Sequence, residues 1–448
     1  MLYSSYFLMG FLLLEILVNS KLSWWASIWT LALGASLMTC ASYMNIGLKN
    51  SGYGGMFSYD EFSCAMIWLS AFICSLSLLS SNKVLLEGNM ESSFLGCLLS
   101  LVGILTMCFV SNSLLIFYIF FECSLIPTFL IICGWGYQPE RLLASKFMVL
   151  YTVGASLPLL MFIVCIVSSN GTLELSLLSL WNVEMKGFFL FVAAIMAFLV
   201  KIPMYGLHMW LPKAHVEAPV AGSMMLAGVL LKLGGYGLTC FIQFFKVWDS
   251  VFFSSIMSLC ILGGVTSSVI CCFQTDIKSL VAYSSVSHMS LVLCGFMSGS
   301  FVGFGGAWLL MVSHGLSSPG MFYLVSEMYS LFGSRSMVLV RGVSGNLMGV
   351  NLWLALMCGF NAAAPPSLSI CSEVMLYISL MSYSLLFCGF LGSLSFLSCL
   401  YSWLLYCNTQ TGGYPNWARS ISSVFSVYIQ SVVCSSLSYP LISLCFFL

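Results

Sequence analysis

Charge is what this sequence lacks most. Of its 448 residues only 6% are Asp, Glu, Lys or Arg, whereas 60% are hydrophobic, and the mean hydropathy is +1.04. A soluble chain has roughly a quarter of its residues charged, because its surface must face water. The shortage therefore excludes a soluble globular protein and predicts a polytopic helical membrane protein whose surface faces lipid.

Three further absences narrow the class of function. The 14 basic and 14 acidic residues balance, so no basic surface is expected and nucleic acid is excluded as a partner. The 20 cysteines include no C-x-x-C pair and no cluster with histidine, so we expect them to behave as small apolar side chains. The opening apolar run lacks a basic segment and a small-residue cleavage site, so we expect no cleavable targeting segment.

Long apolar runs are what the sequence has instead. Most are close to the roughly 20 residues that a bilayer requires, which predicts an all-α fold of about fourteen transmembrane helices. The runs fall at 2–18, 24–43, 62–80, 94–110, 112–133, 147–168, 187–211, 220–245, 251–272, 279–299, 302–328, 346–383, 385–407 and 422–447.

Two of these runs are predicted to be discontinuous helices. The run 346–383 is too long for one straight span and contains Pro365-Pro366, while 187–211 contains Pro203. Inside a membrane, a break is tolerated only where protein or water satisfies the freed backbone groups. Paired breaks of this kind are typical of a transport path.

Basic residues are distributed unevenly between the two sets of loops, which predicts the orientation. Nine follow odd-numbered helices and three follow even-numbered ones, so the odd loops are expected on the cytoplasmic or matrix side. The nine are Lys21, Lys83, Arg141, Lys146, Lys213, Lys278, Arg335, Arg341 and Arg419, and the three are Lys49, Lys186 and Lys246.

Four charged residues lie well inside apolar runs, away from the ends: Glu122, Lys201, Lys232 and Glu373. Each costs about 2.5–3.5 kcal/mol at the middle of a membrane helix. One interpretation is a structural ion pair between Glu122 and Lys201. The other is that these groups carry or gate protons, because a carboxylate moving toward or away from a buried lysine changes its proton affinity. The second is favoured, since two lysines and two glutamates exceed the needs of one pair.

Histidines add to the set of candidate proton carriers. His208 and His215 follow Lys201 at seven-residue intervals, which keeps one face if the helix continues, and His288 and His314 lie in or beside later runs. A buried histidine is equally often a simple hydrogen-bonded helix contact. A metal site at His208, His215 and Glu217 is disfavoured, because the spacing lacks the H-x3-H pattern of one helical face.

Several sequence motifs resemble one family. They are the segments FECSLIP from Phe121 and GWGYQPER from Gly134, the run KIPMYGLHMWLPKAHVEAPVAGSMMLAGVLLKLGGYG from Lys201, QTDIKSLVAYSSVSHMSLV from Gln274, His314-Gly315-Leu316-Ser317-Ser318, and the stretch from Pro365-Pro366 to Glu373. Together they resemble the chain 4 family of mitochondrial NADH–ubiquinone oxidoreductase, an antiporter-like core subunit of the complex I membrane arm. The resemblance is strong over about 110–380 and weak outside that span.

The resemblance implies a fold and an assembly. It implies two inverted five-helix repeats and two discontinuous helices within the fourteen. The divisions would be N-terminal helices over 1–93, a first antiporter-like repeat over 94–245, a second over 246–408 and a C-terminal helix over 409–448. It implies no cofactor in this chain, with NADH, FMN, iron–sulfur clusters and ubiquinone acting in other subunits. The implied partners are other membrane-arm subunits, neighbouring antiporter-like subunits among them, and lipids such as cardiolipin, in the mitochondrial inner membrane.

The resemblance also implies a role for each candidate residue. Glu122 would be the acidic partner, Lys201 the lysine of the first broken helix, Lys232 the central lysine and Glu373 the acid of the second broken helix. His208, His288 and His314 would lie on a polar axis. The implied function is proton translocation coupled to quinone reduction. A stand-alone cation–proton antiporter and a structural scaffold remain the alternatives.

Overall fold

The fold of the chain is helical throughout the part that the structure describes. This computed structural model describes residues 21–44, 57–58, 60–88, 90–180, 188–242, 244, 250–343, 348–413 and 424–447. Among these residues the β-structure is limited to isolated bridges between loops, such as that joining Ser113 to Glu174. The all-α prediction is confirmed for these residues.

The helices follow the predicted apolar runs closely. In chain order they are α1 (Lys21–Met44), α2 (Glu61–Ser80), α3 (Asn82–Glu87), α4 (Glu91–Val110), α5 (Leu114–Cys123), α6 (Leu125–Trp135), α7 (Arg141–Asn170), α8 (Leu175–Leu180), α9 (Phe188–Lys201), α10 (Trp210–Glu217), α11 (Val220–Met225), α12 (Leu231–Ile242), α13 (Ser250–Phe273), α14 (Ile277–Met297), α15 (Phe301–Phe332), α16 (Met348–Asn361), α17 (Leu368–Tyr383), α18 (Phe387–Gln410) and α19 (Val424–Phe447). The predicted run at 2–18 lies outside the described residues.

Eight helical stretches in the described part are long and apolar enough to cross a membrane. They include α2, α4, α7 and α14, and also the continuous stretch Leu114–Trp135, which combines α5 and α6. Shorter apolar helices occur at Phe189–Lys201, Gly349–Asn361 and Leu368–Tyr383. These short ones are the pieces of the two runs predicted to be broken, so their length reflects the breaks rather than a lack of apolar residues.

Both predicted breaks are present. Helix α9 ends at Lys201, two residues before Pro203, and regular helix resumes only at Trp210. Helix α16 ends at Asn361 and α17 begins at Leu368, so the break contains Pro365-Pro366. Proline lacks a backbone N–H and its ring clashes with the preceding turn, which explains why each helix stops where it does.

The run 112–133 forms one membrane-length stretch, as predicted, with a single turn residue, Ser124, between α5 and α6. Two local features differ from the sequence-based expectations. The run 220–245 contains a π-helical turn at Leu226–Leu230, which no periodicity indicated. The sequence predicts Lys278 in a loop, yet it is the second residue of α14 and only 1% exposed.

The chain divides into two compact units. The first unit comprises residues 1–201 and 217–249, and its described helices include α1–α9, α11 and α12. Its interior holds a cluster of phenylalanines from α5, α7, α9 and α12, with the rings of Phe198 and Phe241 5.0 Å apart. Because lipid tails are as apolar as these rings, close packing rather than water exclusion holds such helices together. Gly237 permits this packing, since a Cβ there would lie 2.1 Å from Phe198 Cε1.

The second unit comprises residues 202–216 and 250–448. Helices α13 and α14 pack along each other, and α15 packs against α14, α16, α17 and α19. Helix α14 is buried almost along its whole length, so its polar side chains, among them Ser287 and His288, face protein rather than lipid. The unit therefore encloses a membrane-length helix that carries buried polar side chains.

Candidate functional site

Lys201 is the last residue of α9, at the first break. Its side chain is only 3% exposed, and its ammonium lies 4.5 Å from the centroid of the Phe121 ring. A cation over an aromatic face is attracted by the ring quadrupole, most strongly where water is excluded. The break places this charge at a helix end, where the C-terminal carbonyls favour a cation.

Glu122 occupies the last turn of α5, next to Phe121. It is half-buried and attracts Lys201 electrostatically, although no direct ion-pair contact joins the two among the described residues. Its Oε1 atom is buried and has no hydrogen-bond partner in the described part of the chain. A buried carboxyl oxygen without a donor is costly, so this arrangement does not fit a tight structural ion pair between Glu122 and Lys201.

Lys232 follows the π-helical turn and is completely buried. Its ammonium donates a hydrogen bond to the backbone carbonyl of Ala227, which belongs to that turn. In a π turn the backbone N–H groups reach back five residues instead of four, as Leu231 does to Leu226. Such turns occur often at functional sites, and here the turn supplies the acceptor for a buried cation.

Glu373 lies in the second turn of α17, shortly after the second break, and is 6% exposed. Its Oε1 atom is 3.6 Å from Nδ1 of His288 on α14. Its Oε2 atom accepts a hydrogen bond from the hydroxyl of Tyr377, one turn further along α17, at 3.3 Å. The acid of the second broken helix therefore meets an imidazole inside the second unit.

His288 has neighbours on two further helices. Its ring centroid is 5.7 Å from that of His314 on α15, and its Nε2 atom is 3.1 Å from the hydroxyl oxygen of Tyr401 on α18. All these side chains are largely buried. We call His288, His314, Glu373, Tyr377 and Tyr401 the His288–Glu373 cluster. A set of titratable groups at these distances can exchange protons directly or through single water molecules.

His208 has a different setting. It lies in the non-helical segment between α9 and α10, where its Nδ1 accepts a hydrogen bond from the backbone N–H of Gly206 at 3.1 Å. Its ring stacks on Tyr205 with centroids 4.9 Å apart and meets the edge of Tyr283 at 5.8 Å. An accepting Nδ1 places the proton of the neutral ring on Nε2.

The expected common face of His208 and His215 is not formed, because the helix does not continue through the break. His215 belongs to α10 and stacks on Phe322, with ring centroids 4.5 Å apart. Among the described residues no three His, Cys, Asp or Glu side chains are placed to hold a metal ion.

Sequence reasoning missed three contributors to the sites: Phe121, Tyr377 and Tyr401. Tyr377 follows Glu373 by four residues, a helical spacing that could have indicated it. Phe121 is adjacent to Glu122 in the sequence, but nothing in the pattern places its ring beside Lys201. Tyr401 comes from another helix, so only the packing of α14 and α18 reveals it.

The fold and the sites define a polytopic helical membrane protein with ionisable groups buried at its helix breaks. Residues 111–399 match the family model "NADH:quinone oxidoreductase/Mrp antiporter, TM", and residues 1–108 match "NADH-ubiquinone oxidoreductase chain 4, amino terminus". The chain therefore belongs to the NADH-ubiquinone oxidoreductase chain 4 family.

Relatives agree with this assignment, and a solved structure shares the fold. The chain is 44% identical to NADH-ubiquinone oxidoreductase chain 4 of Ceratitis capitata over 354 residues, which cover 79% of each chain. It is 45% identical to that of Aedes aegypti over 359 residues, or 80% of this chain and 79% of the relative. A chain of respiratory complex I from Thermus thermophilus with bound NADH superposes with a TM-score of 0.87 at 20% identity, covering 99% of this chain and 96% of that one. That last similarity supports the fold alone.

Proposed function

We propose that this chain translocates protons across the mitochondrial inner membrane as a core subunit of the membrane arm of respiratory complex I. It couples electron transfer from NADH to ubiquinone to proton pumping. The observation that carries the proposal is the burial of Lys201 and Glu373 at the two helix breaks. Ionisable groups are costly inside a membrane and typically line ion pathways. Membership of the chain 4 family supports the same assignment.

Each buried group has a role in this proposal. A proton from the matrix side resides on Lys201 or Lys232, and Glu122 sets the affinity of Lys201 through the electrostatic attraction between them. Release occurs on the side of Glu373, where His288 lies within 3.6 Å of the carboxylate. His208 and His314 are further relay groups, because imidazole exchanges protons near neutral pH.

The chain contributes to the enzyme without holding its redox groups. NADH, FMN, iron–sulfur clusters and ubiquinone act in other subunits, so the driving force reaches this chain mechanically or electrostatically through its neighbours. Those partners are other membrane-arm subunits, neighbouring antiporter-like subunits among them, and lipids such as cardiolipin surround the assembly.

The proposed architecture specifies more than the described helices define. It has about fourteen transmembrane helices and two inverted five-helix repeats, over 94–245 and 246–408, between N-terminal helices at 1–93 and a C-terminal helix at 409–448. The two helix breaks and the eight membrane-length stretches support it. Odd-numbered loops lie on the matrix side, as the distribution of basic residues predicts.

A native gel tests the assembly. Inner membranes are solubilised gently, complexes are separated, and this chain is detected beside an in-gel stain for NADH dehydrogenase activity. We expect the chain in a very large band that oxidises NADH. A smaller complex without that activity would contradict the proposal and favour a cation–proton antiporter.

A further inference from the structure

The hydroxyl group of Tyr401 has two possible acceptors. Tyr401 is completely buried on α18, with its hydroxyl oxygen 3.1 Å from His288 Nε2 and 3.4 Å from Ser287 Oγ. Ser287 and His288 are consecutive residues of α14, so a single helix presents both atoms to the phenol. The hydroxyl has only one hydrogen, so it can donate to one of the two at a time.

Ser287 can accept a hydrogen bond from Tyr401. Its own hydroxyl hydrogen is donated to the backbone carbonyl of Ser284 at 2.8 Å. The lone pairs of its oxygen remain free to accept from Tyr401. Ser287 is 3% exposed, which shields this alternative bond from competition with bulk water.

Together, Tyr401, Ser287 and Glu373 can match the donors and acceptors of the His288 ring in each of its protonation states. When the neutral ring accepts from Tyr401 at Nε2, its proton is on Nδ1 and faces Glu373 Oε1 at 3.6 Å. When the ring is protonated, Nε2–H donates to the Tyr401 oxygen and the hydroxyl hydrogen turns to Ser287. When Nδ1 then passes its proton to the carboxylate, the ring keeps Nε2–H and the bonds to Tyr401 and Ser287 persist.

We propose that Tyr401 is a positioning residue that lets His288 gain and lose a proton without rotating, with Ser287 as the alternative acceptor for the tyrosine hydroxyl. The inference rests on the proposed function in proton translocation and specifies how one relay group works. The titratable groups that face His288 and Tyr401 are Glu373 and Tyr377 on α17, His314 on α15 and Cys271 on α13.

The substitution Tyr401→Phe tests the proposal in the assembled complex, because it removes the hydroxyl and keeps the ring. Protons pumped per NADH oxidised are measured between pH 6 and 9. We expect the ratio to fall at least about twofold near neutral pH. On the alkaline side, the pH at which this ratio falls to half of its maximum should be about one unit lower. The reason is that a hydrogen bond to a charged group changes a protonation equilibrium roughly tenfold. Ser287→Ala should change the profile in the same direction.

Tyr406→Phe is the matched control. Tyr406 is on the same helix, and its hydroxyl donates to Asn351 Oδ1 at 2.8 Å, away from the His288–Glu373 cluster. We expect its pumping ratio and pH profile to equal those of the wild type. If Tyr401→Phe matches this control at every pH, the role of Tyr401 is refuted. If Tyr401→Phe does not assemble, an unchanged profile in Ser287→Ala refutes it.

Glu373→Gln separates this inference from the proposed function. If Glu373→Gln abolishes pumping while Tyr401→Phe keeps a normal pH profile of pumping, only the proposed role of Tyr401 is refuted. Normal pumping in Glu373→Gln would refute the route proposed for this chain, whatever the tyrosine variant does.

Discussion

Buried charge in this chain has two competing explanations at the scale of single residues: locking helices together or carrying protons. Glu122 and Lys201 form no direct ion pair in the described structure, and the ammonium rests on an aromatic ring. Lys232 is bonded to a backbone carbonyl of the π turn. Among the described residues Lys201 rests on an aromatic face without a direct carboxylate contact, so proton transfer explains this lysine better than a structural ion pair does.

Lys232→Met distinguishes the two explanations. The substitution keeps a long apolar side chain and removes a buried charge together with its desolvation cost. We expect the complex to assemble and to resist heat as the wild type does, while NADH-driven proton uptake falls at least about tenfold. Assembly is measured on native gels and uptake with a pH-sensitive dye in vesicles.

Leu233→Met is the control for that experiment, because Leu233 is an equally buried neighbour without charge. It should change neither assembly nor uptake. Poor assembly of Lys232→Met with normal uptake per assembled complex would show that the lysine is structural.

The sequence was informative about individual charges and less informative about their surroundings. Glu122, Lys201, Lys232 and Glu373 stand out because charge is rare in apolar runs, and no structure is needed to find them. The pairing of Glu373 with His288 depends on how α14 and α17 pack, which periodicity does not specify. The hydroxyl group of Tyr401 completes the His288–Glu373 cluster from a fourth helix, and one tyrosine among 20 carries no local signal.

At the scale of elements, the breaks decide where functional groups lie. Proline predicts both breaks correctly, because its effect on a helix is local. The length of the first break was not predictable, and neither was the position of His208 inside it. Gly206 has a φ of +97°, a conformation that other residues rarely adopt, and its N–H holds His208 Nδ1. The π turn before Lys232 was also invisible, since a single π turn hardly changes an apolar pattern.

Gly206→Ala tests the conformation of the first break. A Cβ at Gly206 would meet nothing within 4 Å, so any effect comes from backbone strain, which costs about 1–3 kcal/mol. We expect half of the assembled complex to be lost at a lower temperature, as measured on native gels. We also expect pumping to be slower. Gly154→Ala is the control, because this position on α7 also has free space but lacks a positive φ. Equal behaviour of the two variants would contradict the assigned role of Gly206.

At the scale of the whole molecule, orientation is the property that the sequence predicts most simply. Basic residues concentrate in one set of loops, which predicts that those loops lie on the matrix side. Lys83, in the exposed part of α3, belongs to this set.

Labelling of Lys83 with a membrane-impermeant amine reagent tests this orientation. We expect a modified Lys83 peptide from inverted inner-membrane particles and an unmodified one from mitoplasts, as read by mass spectrometry. Detergent-opened samples of both preparations serve as the reference for full reactivity. Labelling in intact mitoplasts would reverse the topology.

The central claim is that this chain moves protons through its buried ionisable groups while other subunits carry out the redox reaction. The most direct test measures protons pumped per NADH oxidised by complexes that contain Lys201→Ala, with Lys83→Ala as an exposed basic control. The account predicts that the Lys201 variant assembles but loses coupled pumping, whereas the control keeps the normal ratio. A normal ratio of protons to electrons in the Lys201 variant would contradict the account.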